Sequence, residues 1–173
     1  MVNTGMIVRI FVLIMLAIMI GCGFYYWLRP PEAVVQVRKT LEKLCEDASK
    51  PKSGSAASLV LKSQRLPDLF VDPCQLDLLG IRGELTGKFS PQELASLVVR
   101  LHGAFDTYQI KASDVQITID SPTRATIEFA GSFHGRTKQG ETIEELRDLT
   151  AHLERVDDQW RFAQFSIRKV IEK

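Results

Sequence analysis

The sequence is poor in the residues that build metal centres and covalent cross-links. It has three cysteines and three histidines in 173 residues, and no two cysteines form a Cys-x-x-Cys pair. The histidines, His102, His134 and His152, are scattered, so no structural zinc site is predicted. Neither a glycine-rich phosphate loop nor a catalytic motif of recognisable spacing occurs. We therefore expect no metal, no cofactor and no catalytic residue that spacing alone could identify.

An excess of one charge is also missing. Lysine and arginine number 22 against 21 aspartates and glutamates, which leaves a net charge of +1, and no block of like charge occurs. A nucleic-acid-binding protein usually carries a basic excess or a basic stripe, so we expect no nucleic-acid partner. Hydrophobic residues make up 45% of the chain, which is typical of a folded protein and excludes wholesale disorder.

What the sequence does contain is one long apolar run. Residues 10–28 include no charged side chain, and Arg9 and Arg29 flank them. At about 1.5 Å per helical residue the run matches the hydrocarbon core of a bilayer. Aromatic residues that suit the headgroup region cluster at its end: Phe24, Tyr25, Tyr26 and Trp27. This pattern predicts a transmembrane helix or signal anchor over 10–28 after a short tail, 1–9.

Two alternatives concern the same run. The tetrapeptide 19–22, Met-Ile-Gly-Cys, resembles a lipoprotein signal in which Cys22 would be lipidated. However, the six residues after Cys22 stay apolar, whereas a lipoprotein tether is normally polar. A cleaved signal peptide is favoured less, because no small-x-small site follows the run. The transmembrane interpretation is therefore preferred.

The orientation of the anchor rests on two conflicting signals. Positive residues are more numerous after the run (Arg29, Arg38, Lys39 and Lys43) than before it, which by the positive-inside rule would keep the domain in the cytoplasm. The layout of a short tail, one arginine, an apolar run and an aromatic border instead resembles a signal anchor. We favour a single-pass cell-membrane protein whose domain lies on the exported side, periplasmic or extracellular.

Behind a linker at 29–33, residues 34–173 are predicted to form one α+β domain. Apolar residues recur at three- and four-residue steps over 32–48 and 56–64, and Ser90-Pro91-Gln92-Glu93 is a helix-start signal for a helix ending near 104. Strands are predicted over 75–80, 114–120, 125–133, 142–156 and 160–170, with a loop around Gly80, Gly83 and Gly87. Asp157 and Asp158 are predicted to form the last hairpin turn.

This order of elements resembles the nuclear-transport-factor-2-like superfamily over residues 32–173. The most telling local piece is 153–162, where an acidic turn precedes Trp160, as in the common final hairpin of that family. The resemblance implies helices packed on a curved antiparallel sheet that bends into a cone. Such cones occur in isomerases, dehydratases, ligand carriers, dimerisation modules and secretion scaffolds, so the likeness implies a fold more than a function.

Two functions follow from this layout. The first is a membrane-anchored, non-catalytic binding or scaffold module, an accessory subunit of a cell-envelope complex with a protein partner or a second copy of itself. The alternative is a small-molecule binder or an isomerase- or dehydratase-like enzyme that uses the cone interior. A small hydrophobic ligand would then contact the residues predicted to line the cavity: Phe129, Phe133, Leu149, Phe165 and Ile167.

The two cysteines of the domain allow one further hypothesis. Cys45 lies near the end of the first predicted helix and Cys74 at the start of the first predicted strand, and in an oxidising compartment they could form a disulfide. The alternative is that both are separate thiols, with Cys45 a small core residue.

The anchor hypothesis is tested by the mass of the chain extracted from its native membrane in mild detergent. We expect the uncleaved mass, because a transmembrane helix is not processed. A chain that begins at Cys22 with added lipid would contradict the transmembrane interpretation.

Overall fold

The computed structural model describes residues 31–52, 56–80 and 83–167. The apolar run 10–28, the lipidation candidate Cys22 and the aromatic border lie outside these residues. Among the described helices, none is both long and apolar enough to cross a membrane. The chain divides into two units, Met1–Glu32 and Ala33–Lys173, and the following description concerns the second.

The domain consists of three α-helices, a short 3-10 helix and six strands within the described residues. The helices are α1 (Glu32–Asp47), α2 (Ala56–Arg65) and α3 (Pro91–Ala104), and the 3-10 helix is Leu66–Leu69. The strands are β1 (Phe70–Gly80), β2 (Gly83–Phe89), β3 (Phe105–Ser121), β4 (Arg124–Thr137), β5 (Thr142–Val156) and β6 (Gln159–Ile167). They form one curved sheet in the order β2-β1-β6-β5-β4-β3. The predicted α+β class and the three predicted helices of the domain are confirmed.

The sheet is mixed, whereas an antiparallel sheet was predicted. β1 runs parallel to β6, with Leu76 opposite Phe165, while the other neighbouring strands are antiparallel. Most of the domain separates these two strands in sequence, so no tight hairpin forces them to be antiparallel. The direction of this pair is therefore decided by how the chain closes on itself and not by local sequence.

The glycine-rich segment is a strand and not the predicted loop. Residues of β2 pair with β1 in a hairpin, and Gly87, with a φ of +142°, lies opposite Leu76. Glycine is depleted in strands because it is flexible and brings no side chain to the pleated surface. Pairing with β1 outweighs that weak local preference.

β3 is more than twice as long as predicted. The prediction missed its first part because a bulge interrupts the alternation of inward and outward side chains. Tyr108, Ile110 and Ala112 contact the inner side before the bulge, and after it the phase changes to Val115 and the odd-numbered residues that follow it. The register against β4 shifts between Ser113 and Gln116, and Asp114 has a φ of +52°. An inserted residue moves every later side chain to the other parity, so a simple period of two detects only one half.

One end of the inner sheet face is a closed core. Ile127, Ala151, Leu153 and Phe162 are almost completely buried there, and Val37 of α1 packs over them. Asp157 and Asp158 form the two-residue turn of the β5–β6 hairpin with positive φ values of 50° and 60°. The turn predicted at these two residues is confirmed, since paired left-handed residues suit the twist of a tight hairpin.

The start of α3 is held by a reciprocal capping box. The Ser90 hydroxyl accepts from the Glu93 backbone N–H at 3.3 Å, and Glu93 Oε2 accepts from the Ser90 backbone N–H at 2.8 Å. The Ser90 N–H, and then its hydroxyl, lower the pKa of the Glu93 carboxyl. The helix that covers one side of the inner face therefore begins at a defined residue.

We expect Ser90→Ala to lower the free energy of unfolding by about 1 kcal/mol, because the cap of α3 is lost. The measurement is denaturant unfolding of the full chain by circular dichroism. Part of the difference should disappear as pH falls. The lowered pKa of Glu93 means that its ionised carboxylate stabilises the folded state, and this contribution is lost when the carboxylate is protonated.

Ser96→Ala is the matched control, because the Ser96 hydroxyl donates to the Gln92 carbonyl inside the same helix. Alanine suits a helix interior, so this change should cost little. Equal losses in the two variants would contradict a specific role for the cap.

Candidate functional site

The inner face of the sheet and helices α1 and α3 enclose a cavity of about 360 Å³. This is the lower part of the size range of small-molecule sites. Its wall is almost entirely hydrocarbon. The helices contribute Leu41, Leu44, Ala48, Leu94, Leu97 and Val98, and β1 and β2 contribute Leu76, Leu78 and Leu85.

The structure brings all five predicted lining residues into the wall of this one cavity: Phe129, Phe133, Leu149, Phe165 and Ile167. Strand register explains why three of them meet. Phe129 of β4 lies opposite Leu149 of β5, which lies opposite Ile167 of β6. The contributions of α1, α3, β1, β2 and β3 were missed, although the apolar faces of α1 and α3 were visible in the sequence.

The cavity opens along β5. Side chains at alternate positions of this strand face inward. Leu153 and Ala151 are 1% and 0% exposed, Leu149 is half-buried, and the side chain of Arg147 is 51% exposed. The same strand therefore passes from a filled core to an open mouth.

Gly131 leaves space in the cavity wall beside Leu149. A Cβ atom at this position would lie 2.7 Å from Leu149 Cδ1, closer than two carbon atoms can approach. Any larger residue would have to displace the Leu149 side chain. The glycine thus leaves space beside Leu149 that another residue would occupy.

A single ion pair supplies the charge at the mouth. Arg147 Nη2 lies 3.0 Å from Glu145 Oε2, and the two side chains are 51% and 24% exposed. Among the described residues of the cavity wall, these two are the ones that carry charge. A pair this accessible to water contributes little to stability, so its position at the cavity is its more informative property.

None of the three histidines belongs to the described wall of this cavity. His134 Nδ1 pairs with Glu144 Oε1 at 2.8 Å on an exposed part of the sheet, and His152 Nδ1 lies 3.1 Å from Thr126 Oγ1, also exposed. Both side chains are therefore exposed to solvent. His102, the third, lies outside the cavity wall, so the described wall contains no histidine for proton transfer.

His102 belongs to a polar cluster beside the cavity. Its Nδ1 lies 3.0 Å from the Tyr108 hydroxyl, and Lys50 Nζ donates to the carbonyls of His102 and Phe105 at 2.8 and 2.7 Å. Burial, followed by the charge of Lys50, lowers the pKa of His102, and burial raises that of Tyr108. Lys50 therefore ties the end of α3 to the start of β3.

Both cysteines of the domain are free thiols, so the structure does not contain the hypothesised disulfide. Cys45 is half-buried in the cavity wall, and burial raises its pKa. Cys74 is completely buried, and burial raises its pKa to about 12. Cys45 is thus a natural reporter of the cavity.

No family model and no curated protein matches this sequence. Solved structures do match over most of the chain. A Novosphingobium aromaticivorans protein that carries the name of an aromatic ring hydroxylase is 13% identical, with a TM-score of 0.65, over 83% of this chain and 93% of that one. The domain has the nuclear-transport-factor-2-like fold.

Two other structures of this fold are named for a dehydratase and a dehydrochlorinase. One, also from N. aromaticivorans, carries the name of a scytalone dehydratase, at 15% identity and a TM-score of 0.59 over 80% of this chain and 85% of the other. The second is the hexachlorocyclohexane dehydrochlorinase LinA-type3 of Novosphingobium barchaimii, at 14% identity and a TM-score of 0.61 over 79% and 85%.

These neighbours correct the main functional prediction. The sequence favoured a non-catalytic scaffold module, but the similar cones are named for a dehydratase, a dehydrochlorinase and a hydroxylase. The scaffold prediction is therefore wrong, and the alternative, which places the function inside the cone, fits better. The error came from treating the lack of catalytic spacing as a sign of a scaffold, although a cavity needs no sequence motif.

We expect Cys45 to react with a neutral thiol reagent in the folded protein and Cys74 to react only after unfolding, because Cys74 is completely buried. Peptide mass mapping without reductant counts each cysteine separately, including Cys22.

Cys74→Ser serves as the control, because this variant should lose the labelling that appears only after unfolding. If neither cysteine of the domain reacts after unfolding in the absence of reductant, a disulfide joins them and the free thiols are contradicted.

Proposed function

We propose that the domain binds a small, largely apolar molecule inside the cone. The observation that supports this best is a cavity of about 360 Å³ with a hydrocarbon wall and one charged pair at its mouth. Removing apolar ligand surface from water is favourable by roughly 25 cal/mol per Å². An occupant would also restore the dispersion contacts that the lining atoms lack.

The contrast between the two ends of the sheet separates this proposal from simple core packing. At the closed end Ile127, Ala151 and Leu153 are in full contact with their neighbours. At the open end Leu149, Leu78 and Leu85 are only half-buried and border the cavity. Interiors are normally close-packed, so an apolar hollow of this size favours a binding role.

The wall chemistry supports binding more than acid–base catalysis. The described wall contains no histidine, and its one carboxylate, Glu145, is paired with Arg147. Enzyme chemistry of the dehydratase kind requires a group placed to take or give a proton. The enzyme names of the structural neighbours support a small-molecule role for the interior.

An anchor at 10–28, as proposed from the sequence, would hold the cavity near a bilayer, where apolar molecules concentrate.

We expect Leu149→Trp to weaken binding of the neutral fluorophore N-phenyl-1-naphthylamine by roughly tenfold or more, because the indole would occupy the cavity. The measurement is a fluorescence titration of the full chain in detergent.

Leu146→Trp is the matched control: this residue lies three positions away on the same strand, and its side chain is 64% exposed. Both variants keep the apolar run 10–28, so probe binding there cancels. Equal affinity of the two variants for the probe, with both folded by circular dichroism, would contradict the proposal.

A further inference from the structure

The mouth of the cavity carries a charged pair whose formal charges cancel. We propose that the cavity selects a neutral amphiphile: an apolar body with one uncharged head group, such as a hydroxyl or a primary amide, that both donates and accepts a hydrogen bond. Glu145 and Arg147 would be the residues that determine this specificity. The inference rests on the proposed function and goes further by stating the ligand class.

Strand geometry places the pair where a head group must lie. Glu145, Arg147 and Leu149 occupy alternate positions of β5 and share its inward side, and all three line the cavity. Phe133 lies opposite Glu145, and Gly131 lies opposite Arg147. A molecule whose apolar body contacts Leu149 therefore has its other end beside the pair.

The pair offers complementary hydrogen-bonding groups and no net charge. A guanidinium only donates, and an ionised carboxylate only accepts. A hydroxyl or amide can accept from Arg147 and donate to Glu145 at the same time.

A charged head group would disturb this arrangement. A carboxylate would compete with Glu145 for Arg147 and lie close to a like charge, and an ammonium would face Arg147 in the same way. The existing contact of 3.0 Å is charge-assisted, so breaking it for one new ion pair gains little. Juxtaposed like charges in addition reduce the affinity of the wrong ligand.

The test compares decan-1-ol, decanoate and decylamine as competitors of N-phenyl-1-naphthylamine on the full chain at neutral pH. The unsubstituted protein should bind the alcohol most tightly. Glu145→Gln should improve decanoate binding by roughly tenfold, and Arg147→Gln should improve decylamine binding by a similar factor, since each removes the like charge. Partition of each competitor into detergent is common to all variants, so ratios between variants report the site.

Glu144→Gln is the matched control, because it removes a carboxylate next along β5 that is exposed and paired with His134. It should leave all three affinities unchanged. The inference is overturned if the competitors keep the same relative affinities in the Glu145 and Arg147 variants, if Glu144→Gln produces the same change, or if the unsubstituted protein prefers either ion. If the fluorophore binds the unsubstituted protein no better than it binds Leu149→Trp, the proposed function fails as well. Fluorophore binding therefore tests the proposed function, and the relative affinities of the competitors test the ligand class.

Discussion

The register in which β4, β5 and β6 pair is the constraint on which the rest of the domain depends. Side chains of a strand alternate between its two faces, so a shift of one residue would exchange every inward residue for an outward one. With the observed register, Leu153, Ala151, Leu149 and Arg147 follow one another along the inside of β5. Core, cavity and mouth are consecutive parts of a single strand face.

This arrangement combines two opposing physical demands. A close-packed end supplies stability, since small voids there would cost dispersion contacts. A hollow end forgoes part of that packing and keeps space for a ligand. Two local features influence how the inner face is filled. Gly131 leaves room beside Leu149, and the bulge at Asp114 changes which side chains of β3 face inward. The closed end stabilises a fold that the open end weakens.

The polar groups of the domain have separate tasks. Lys50 is held by two carbonyls and joins α3 to β3, and the histidines lie outside the cavity wall. Glu145 and Arg147 alone bring charge to the cavity within the described residues. This division explains why no catalytic motif in the sequence marks the cavity. The groups proposed to recognise the ligand, Glu145 and Arg147, are common surface residue types that differ from others only in lying at the end of an apolar wall.

Local sequence by itself determined the α+β class, the three helices, the capping box at Ser90 and the turn at Asp157 and Asp158, because each depends on residues within a few positions of one another. It also indicated the inward residues of β4 and β5, since their alternation is uninterrupted. Tertiary structure decided the parallel pairing of β1 with β6, the strand at Gly83–Phe89 and the first half of β3. The cavity belongs to this second group: a hollow arises from how far distant elements stand apart, and no short stretch of sequence records that distance.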